Sequence, residues 1–167
     1  MKLQLPNKLI TLDKLHSIVT NLKEQQKKVI WTNGCFDILH IGHIEYLNQA
    51  KMLGDILIVG LNSDDSVNAI KGNNRPLFNE LDRAKVLNAL VYIDYITIFK
   101  EPSPLKILQL LKPDYYVKGG DYTIDTINQL ERSVIESYGG KIKILPIVQG
   151  VSTTEIVAKI QRLENIY

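Results

Sequence analysis

Stretches typical of strands alternate along this chain with stretches typical of helices, and this alternation limits the possible folds more than any other feature. The continuous apolar run "DILIVGLN" at 55–62 is typical of a buried strand, whereas "NELDRAKVLNAL" at 79–90 has helical spacing. Strands that alternate with helices form a parallel sheet covered on both faces. We therefore predict an α/β fold with a Rossmann-like, doubly wound, five-stranded parallel sheet.

The individual elements can be placed along the sequence. Strands are predicted at 28–33, 55–62, 94–99, 114–119 and 141–147. Helices are predicted at 42–53, 64–70, 79–90, 103–111, 125–138 and 152–163, after an N-terminal helix at about 11–27. The chain has 167 residues without a repeat or a linker. We therefore expect a single domain over 1–167.

Composition narrows the class of protein. The formal net charge of +2 is too small to indicate a nucleic-acid partner. The one cysteine, Cys35, cannot form an internal disulfide. No apolar run approaches the length of a membrane span, and 1–17 lacks the apolar stretch of a signal peptide. We therefore expect a cytoplasmic protein with no nucleic-acid or membrane partner.

Polar loops follow four of the predicted strands. In a doubly wound sheet, ligands bind beyond the carboxyl ends of the strands, where the strand order reverses. We therefore expect the four loops to form one site, in which an acidic side chain would bind a ribose hydroxyl or orient a base. The candidates in these loops are Asn33, Gly34, Cys35, Phe36, Asp64, Lys118, Gly119, Asp121, Ser152, Thr153 and Thr154.

Two histidines, His40 and His43, stand where the loop after the first strand turns into a helix. Backbone N–H groups at a helix N-terminus bind anions, and imidazoles there can donate hydrogen bonds to a phosphoryl group. Gly42 leaves room for a phosphate to approach the backbone. The spacing matches neither G-x-G-x-x-G nor G-x-x-x-x-G-K-[ST]. The stretch therefore predicts a phosphate site of another kind, with both histidines as catalytic residues.

Simpler interpretations of these residues stay open. Lone histidines are usually surface or core residues. Ser152 with Glu155 fits a capping box, which needs no ligand. Zinc is a further alternative, although no second cluster of cysteine and histidine completes a tetrahedral site. The potential zinc ligands are Cys35, Asp37, His40 and His43.

Three basic residues lie between the second and third predicted strands. Lys71 and Arg75 belong to the loop "KGNNRP", and Arg83 follows one helix later. Phosphate groups favour arginine forks and lysine point charges, so this group near a phosphate-binding edge suggests phosphate recognition. Any one of them alone is typical of a solvated surface.

These motifs resemble a known enzyme family. "GCFDILHIGH" resembles the H-x-G-H signature of the nucleotidylyltransferase superfamily, and "VSTTEI" resembles its second signature, I-S-[ST]-T. "KGNNRP", "PDYYVKGGDY" and "YGGKIKILPI" further resemble the D-glycero-β-D-manno-heptose 1-phosphate adenylyltransferases, which also occur as the C-terminal domain of a bifunctional heptose kinase/adenylyltransferase. The likeness runs from about Lys14 to Leu163. No kinase domain is present, so the resemblance implies the stand-alone form.

The resemblance implies a role for each matching position. The two histidines would bind the triphosphate and stabilise the transition state, and Lys71 would neutralise phosphate charge. Cys35 and Phe36 match a loop whose backbone contacts phosphate, the three hydroxyl residues at 152–154 match the segment that holds the β- and γ-phosphates, and Asp121 matches an acidic position near the nucleoside. The expected substrate-binding residues are Arg75, Arg83 and Lys118.

The activity implied by the resemblance is transfer of AMP from ATP to D-glycero-β-D-manno-heptose 1-phosphate by in-line attack, which gives ADP-heptose and pyrophosphate. Mg²⁺, bound mainly through the nucleotide phosphates, is the expected cofactor, and a homodimer is the expected assembly. The alternatives are a CTP-dependent cytidylyltransferase of a phospho-alcohol, an FMN adenylyltransferase, and a non-catalytic nucleotide-binding module.

Three departures from the family pattern bear on these expectations. Ile147 stands where the glycerol-phosphate cytidylyltransferases carry arginine, which favours ATP over CTP. Val157 stands where many superfamily members end the second signature in arginine. The segment "DTINQLERSVIES" replaces the usual glycine-bearing "VVG" run.

Overall fold

The computed structural model describes residues 7–120, 122–146, 150 and 152–164, and these residues form the predicted α/β architecture. The strands of its sheet are β1 Val29–Gly34, β2 Ile56–Asn62, β3 Tyr95–Phe99, β4 Tyr115–Gly119 and β5 Lys141–Leu145. The helices are α1 Leu12–Glu24, α2 Ile41–Lys51, α3 Asp64–Lys71, α4 Glu80–Asn88, α5 Leu105–Leu111, α6 Gln129–Ser137 and α7 Thr153–Glu164. None of the helices described is long and apolar enough to cross a membrane.

All neighbouring strands are parallel, in the order β3-β2-β1-β4-β5. The chain runs outward from β1 to β2 and β3, and then returns to the other side of β1 for β4 and β5. The strand order therefore reverses between β1 and β4, which is where such sheets bind ligands. The predicted fold class is confirmed.

Both faces of the sheet are buried, which explains the continuous apolar strands. Successive side chains of a strand point to opposite faces. Ile30 accordingly belongs to one core cluster with Leu57 and Val59, and Trp31 belongs to another with Ile58 and Tyr116. Helices cover each cluster, so a strand has no solvated face that would require polar residues.

The segment before α1 covers the outer edge of β3. Leu9 forms a parallel bridge with Ile96. The Ile10 N–H donates to the Ile96 carbonyl at 2.9 Å, and the Ile96 N–H donates to the Lys8 carbonyl at 2.8 Å. The alternation of strands and helices gave no sign of this short pairing.

Side-chain caps set the start of several helices. Of the two caps considered for α1, Thr11 is the one used, because its hydroxyl accepts from the Lys14 N–H. Asn79 caps α4 as predicted, and its side chain accepts from the Asp82 N–H at 2.9 Å.

Helix α6 begins four residues later than predicted. The Asn128 side chain accepts hydrogen bonds from the N–H groups of Leu130 and Glu131, which fixes the first turn of the helix at Gln129. The residues before it form a turn in which the Thr126 N–H donates to the Thr123 carbonyl at 3.1 Å. A strong cap inside a helical pattern therefore shortened the helix.

Gly60 in β2 packs against the buried ring of Trp31, and we expect Gly60→Ala to destabilise the protein. A Cβ at this position would lie 2.3 Å from Trp31 Cζ2, and overpacking a dense core costs about 1–3 kcal/mol. Urea unfolding followed by circular dichroism would measure the loss. In a Trp31→Phe background the clashing atoms are absent, so the same change should cost less. Equal losses in both backgrounds would contradict the steric explanation.

Candidate active site

A cavity of about 560 Å³ opens at the carboxyl edge of the sheet, beside β1 and β4. Its wall is formed by the loop after β1, the first turn of α2, the end of α3, the segment after β4 and the start of α7. The structure thus brings most of the predicted site residues together. Those in the wall are Asn33, Gly34, Cys35, Phe36, His40, Gly42, His43, Lys71, Lys118, Gly119, Ser152, Thr153 and Thr154.

The two signature histidines lie side by side at the start of α2. His40 is the N-cap residue, but its side chain makes no capping hydrogen bond. The centroids of the His40 and His43 rings are 3.9 Å apart. Each buried Nδ1 atom lacks a hydrogen-bond partner among the described residues. Buried polar atoms rarely stay unpaired, so these imidazoles are available to a ligand.

The environment keeps both imidazoles neutral at pH 7. Burial, reinforced by the nearby His40 and Lys71, lowers the pKa of His43 to about 4. Burial also lowers the pKa of His40, and the charge of Glu155 only partly opposes this. A neutral imidazole carries one N–H donor and one acceptor. A bound anion would stabilise the protonated form, so charge at the site responds to the ligand.

The loop after β1 has an unusual backbone at Phe36. Its φ of +45° lies in the left-handed region, which non-glycine residues rarely adopt outside functional loops. The buried ring lies 5.3 Å from the His43 ring, measured between centroids. A Cβ at Gly34 would come within 3.0 Å of Phe36 Cε2, so glycine at this position leaves room for the ring.

Asp37 ties this loop to the segment between α3 and α4. Its carboxylate accepts from Arg75 Nη1 at 2.8 Å and from the N–H groups of Leu77 and Phe78 at 2.8 and 3.1 Å. Although burial opposes it, these donors lower the pKa of Asp37. Both carboxylate oxygens already have partners, which weakens the zinc alternative.

Arg83 forms a second tie to the same loop from a buried position on α4. Its guanidinium donates to the Cys35 carbonyl at 2.5 Å, the Phe78 carbonyl at 2.9 Å and Asp64 Oδ1 at 2.7 Å. The side chain of Arg83 is fully buried in this network. These N–H groups of Arg83 therefore donate within the protein and not to the cavity.

The contacts of Arg75, Arg83 and Asp64 bear on the binding roles expected of them. None of the three lines the cavity. Their charges are paired with one another or with Asp37, and the pairing fixes the loops around the site. A role for them in binding the substrate or the nucleotide stays a prediction. Asp121, Ile147 and Val151 lie outside the described residues.

Several wall residues carried no recognisable signal in the sequence. In the sequence, Glu131 is typical of a charged helix residue and Asn128 of a helix cap. The position of α6 after β4 nevertheless brings both to the switch point, where the strand order reverses. That topological rule is the signal that could have found them. Asp37 was considered only as a zinc ligand, and the other wall residues that were not predicted are Tyr46, Asn62, Ile70, Pro102, Tyr122, Ile127, Asn128 and Glu131.

A second cavity, of about 480 Å³, lies at the opposite edge of the sheet, beside the residues that precede β1, β4 and β5. Three of its four lysines already have partners, and one of these is Lys27, which pairs with Asp55 at 3.5 Å. Lys28 pairs with Asp114 at 2.8 Å, and Lys23 donates to the Lys112 carbonyl. No carboxyl end of a strand borders this second cavity, so we place the functional site in the first cavity.

Arg83→Met should destabilise the fold, because it leaves the Cys35 and Phe78 carbonyl groups and Asp64 without their buried donor. We expect a loss of at least about 2 kcal/mol in the free energy of unfolding, measured with urea. Arg132→Met is the matched control, since Arg132 pairs with Asp125 and Glu136 on the surface. The control should keep the wild-type midpoint. Equal behaviour of the two variants would contradict the proposed network.

The lowered pKa of His43 predicts a pH-dependent stability. Between about pH 6.5 and 4 the unfolded chain binds a proton that the folded protein does not, so stability should fall as the pH falls through this range. His43→Gln removes this contribution, so the free energy of unfolding of the variant should change less with pH. Urea unfolding of both proteins at pH 7 and pH 5 measures the difference. A variant that loses as much stability as the wild type would show that the burial of His43 is not responsible.

This chain resembles known proteins in its sequence. The profile of the cytidylyltransferase-like family matches residues 31–159. The bifunctional protein HldE of Geobacter metallireducens is 49% identical over 155 residues, which cover 93% of this chain and 31% of that protein. HldE of Geobacter sulfurreducens is 48% identical over 92% of this chain and 31% of its own. This chain therefore spans about a third of the length of these curated relatives.

Two solved structures resemble the fold. The lipopolysaccharide core biosynthesis protein of Thermoplasma volcanium superposes with a TM-score of 0.58 at 31% identity, over 73% of this chain and 97% of that chain. The pantoate-beta-alanine ligase of Francisella tularensis superposes with a TM-score of 0.64 over 95% of this chain and 78% of its own; at 18% identity it shows the shared fold alone. The strand order, the paired histidines and the matching profile lead to one conclusion: this chain belongs to the cytidylyltransferase-like family.

Proposed function

We propose that this protein is an adenylyltransferase that transfers AMP from ATP to D-glycero-β-D-manno-heptose 1-phosphate and releases pyrophosphate. The observation that carries the proposal is the pair of neutral, unpartnered imidazoles at the N-terminus of α2, inside the cavity at the switch point. The choice of sugar rests on the motif resemblance, the similarity to the bifunctional HldE proteins and the likeness to a lipopolysaccharide core biosynthesis protein.

The reaction needs no nucleophilic side chain. An oxygen of the sugar phosphate attacks the α-phosphorus of ATP, a new P–O bond forms, and the bond from the α-phosphorus to the bridging oxygen breaks as pyrophosphate leaves. His40 and His43 donate hydrogen bonds to phosphate oxygens whose charge grows during the attack, and Lys71 adds a positive charge. Catalysis is positioning and electrostatic stabilisation.

Two helix N-termini support the anion in this proposal. The first turn of α2 and the start of α7 both line the cavity, and helix N-termini favour anions. Ser152 does cap α7, since its hydroxyl accepts from the Glu155 N–H at 3.1 Å. Thr153 Oγ1 donates to the Ile38 carbonyl at 3.4 Å, which joins α7 to the loop after β1. Capping and anion binding thus use the same helix end.

Mg²⁺ would enter with the nucleotide. The described residues contain no group of three or more potential metal ligands, and the wall carboxylates Asp37 and Glu131 already have partners. These residues fit a metal that is held mainly by phosphate oxygens and keeps most of its waters. When bound, Mg²⁺ would neutralise phosphate charge.

We also propose a cytoplasmic location and a homodimer, on composition and resemblance.

Pyrophosphate release from ATP and heptose 1-phosphate should require Mg²⁺ and both signature histidines. His40→Ala and His43→Ala should each lower kcat on the order of 100-fold, because a preorganised donor to the transition state is lost. His16→Ala, an exposed histidine on α1, is the matched control and should retain full activity. Thermal unfolding would verify that each variant is folded.

The same assay separates the alternatives. A higher kcat/KM with CTP, glycerol 3-phosphate or FMN would overturn the substrate assignment while leaving the reaction class. Near-normal turnover in a folded double-histidine variant would overturn the catalytic assignment. Nucleotide binding without turnover of any acceptor would indicate the non-catalytic module.

A further inference from the structure

A buried carboxylate stands in the cavity wall on α6, a helix to which the signature motifs assign no role. Glu131 is only 4% exposed. Its Oε1 atom accepts from Ser103 Oγ at 2.8 Å, and its Oε2 atom accepts from Tyr116 Oη at 2.6 Å. Burial and the Glu131 charge raise the pKa of Tyr116, which keeps this phenol a donor. The position of the carboxylate is therefore fixed by two hydroxyl groups.

Lys118, at the end of β4, is the cation that faces this carboxylate. Its Nζ atom lies 3.5 Å from Glu131 Oε2 and 3.4 Å from Asn33 Oδ1. It also lies 4.9 Å from the centroid of the Tyr116 ring. An ammonium group has three N–H donors, and two protein acceptors lie within reach. A third donor is thus available to a ligand in the cavity that Lys118 lines.

An isolated lysine in this position would tend to lose its proton. Burial lowers the pKa of Lys118, and the charge of Glu131 raises it. The other groups in contact with the ammonium, Asn33 on β1 and Tyr116 on β4, are uncharged. Among the described residues, Glu131 is therefore the charged group that favours the protonated lysine.

We propose that Glu131 is a positioning residue that keeps Lys118 protonated and fixed in the cavity wall, where Lys118 binds phosphate oxygens of the substrates. The inference rests on the proposed function, because only an anionic substrate gains from a cation at this point. It also gives a role to the segment in which the sequence departs from the family pattern. A carboxylate that merely cancelled the lysine charge would weaken phosphate binding instead of supporting it.

Glu131→Gln keeps the shape of the side chain and removes its charge. If Glu131 supports Lys118, the variant should bind phosphate more weakly, whereas if Glu131 merely cancels the lysine charge, the variant should bind phosphate more tightly. If Glu131 supports Lys118, the KM of the variant should rise about 10-fold as the pH rises from 7 to 9.5, with kcat little changed, since a charge-assisted hydrogen bond is lost. The wild type should show a much smaller rise. Varying ATP and heptose 1-phosphate in turn identifies which phosphate Lys118 binds.

Two further variants separate charge from packing. Ser103→Ala removes a hydrogen bond from the same carboxylate but keeps its charge, so it should retain the wild-type pH profile. Lys118→Arg combined with Glu131→Gln should abolish the pH dependence, because a guanidinium stays charged when buried. If Glu131→Gln does not fold, Lys118→Met should weaken phosphate binding about 10-fold at pH 7.

Calorimetric titration with ATP alone keeps this inference separate from the proposed function. Turnover with a Glu131→Gln variant whose KM and ATP affinity match the wild type at every pH would overturn the role of Glu131 and leave the function intact. Absence of turnover, together with a pH-dependent loss of ATP affinity in the variant, would overturn the function and leave the role of Glu131 intact. An unchanged KM for both ATP and heptose 1-phosphate in Lys118→Met would overturn the inference.

Discussion

The buried guanidinium of Arg83 is the interaction on which the geometry of the site depends. It connects the Cys35 carbonyl in the loop after β1, Asp64 at the start of α3, and the Phe78 carbonyl before α4. A charge buried at this depth is tolerated only when its donors are satisfied, so the three segments can hardly move independently. Asp37 and Arg75 repeat the connection a few residues away.

This network explains why the Nδ1 atoms of His40 and His43 can lack hydrogen-bond partners among the described residues. Paired charges hold the loop that precedes His40 and His43, so the imidazoles need no hydrogen bonds of their own to be oriented. The arginines that hold the loops are thus paired, while the Nδ1 atoms of the two imidazoles in the cavity wall are not. Such a division is what electrostatic preorganisation requires, because the donors are in place before charge develops.

The sequence predicted the elements and the position of the site because both depend on local patterns. Apolar periodicity marks strands and helices, and the carboxyl ends of parallel strands must meet. Partners distant in sequence leave no such pattern. Arg75 finds its carboxylate 38 residues away, and Arg83 finds its carbonyl 48 residues away. Charge type alone could not separate these arginines, which bond to the loop after β1, from Lys118, which lines the cavity.

An open parallel sheet has two edges, and each is protected from pairing with another chain. On one side, the backbone of residues 8–10 occupies the N–H and the carbonyl of Ile96 in β3. On the other side, β5 is short, and its exposed positions carry Lys141 and Lys143. An incoming strand at β5 would have to bring its backbone beside these two ammonium groups. Aggregation is therefore opposed by covering at one edge and by charge at the other, and replacing the two lysines with apolar residues would leave β5 the weaker barrier.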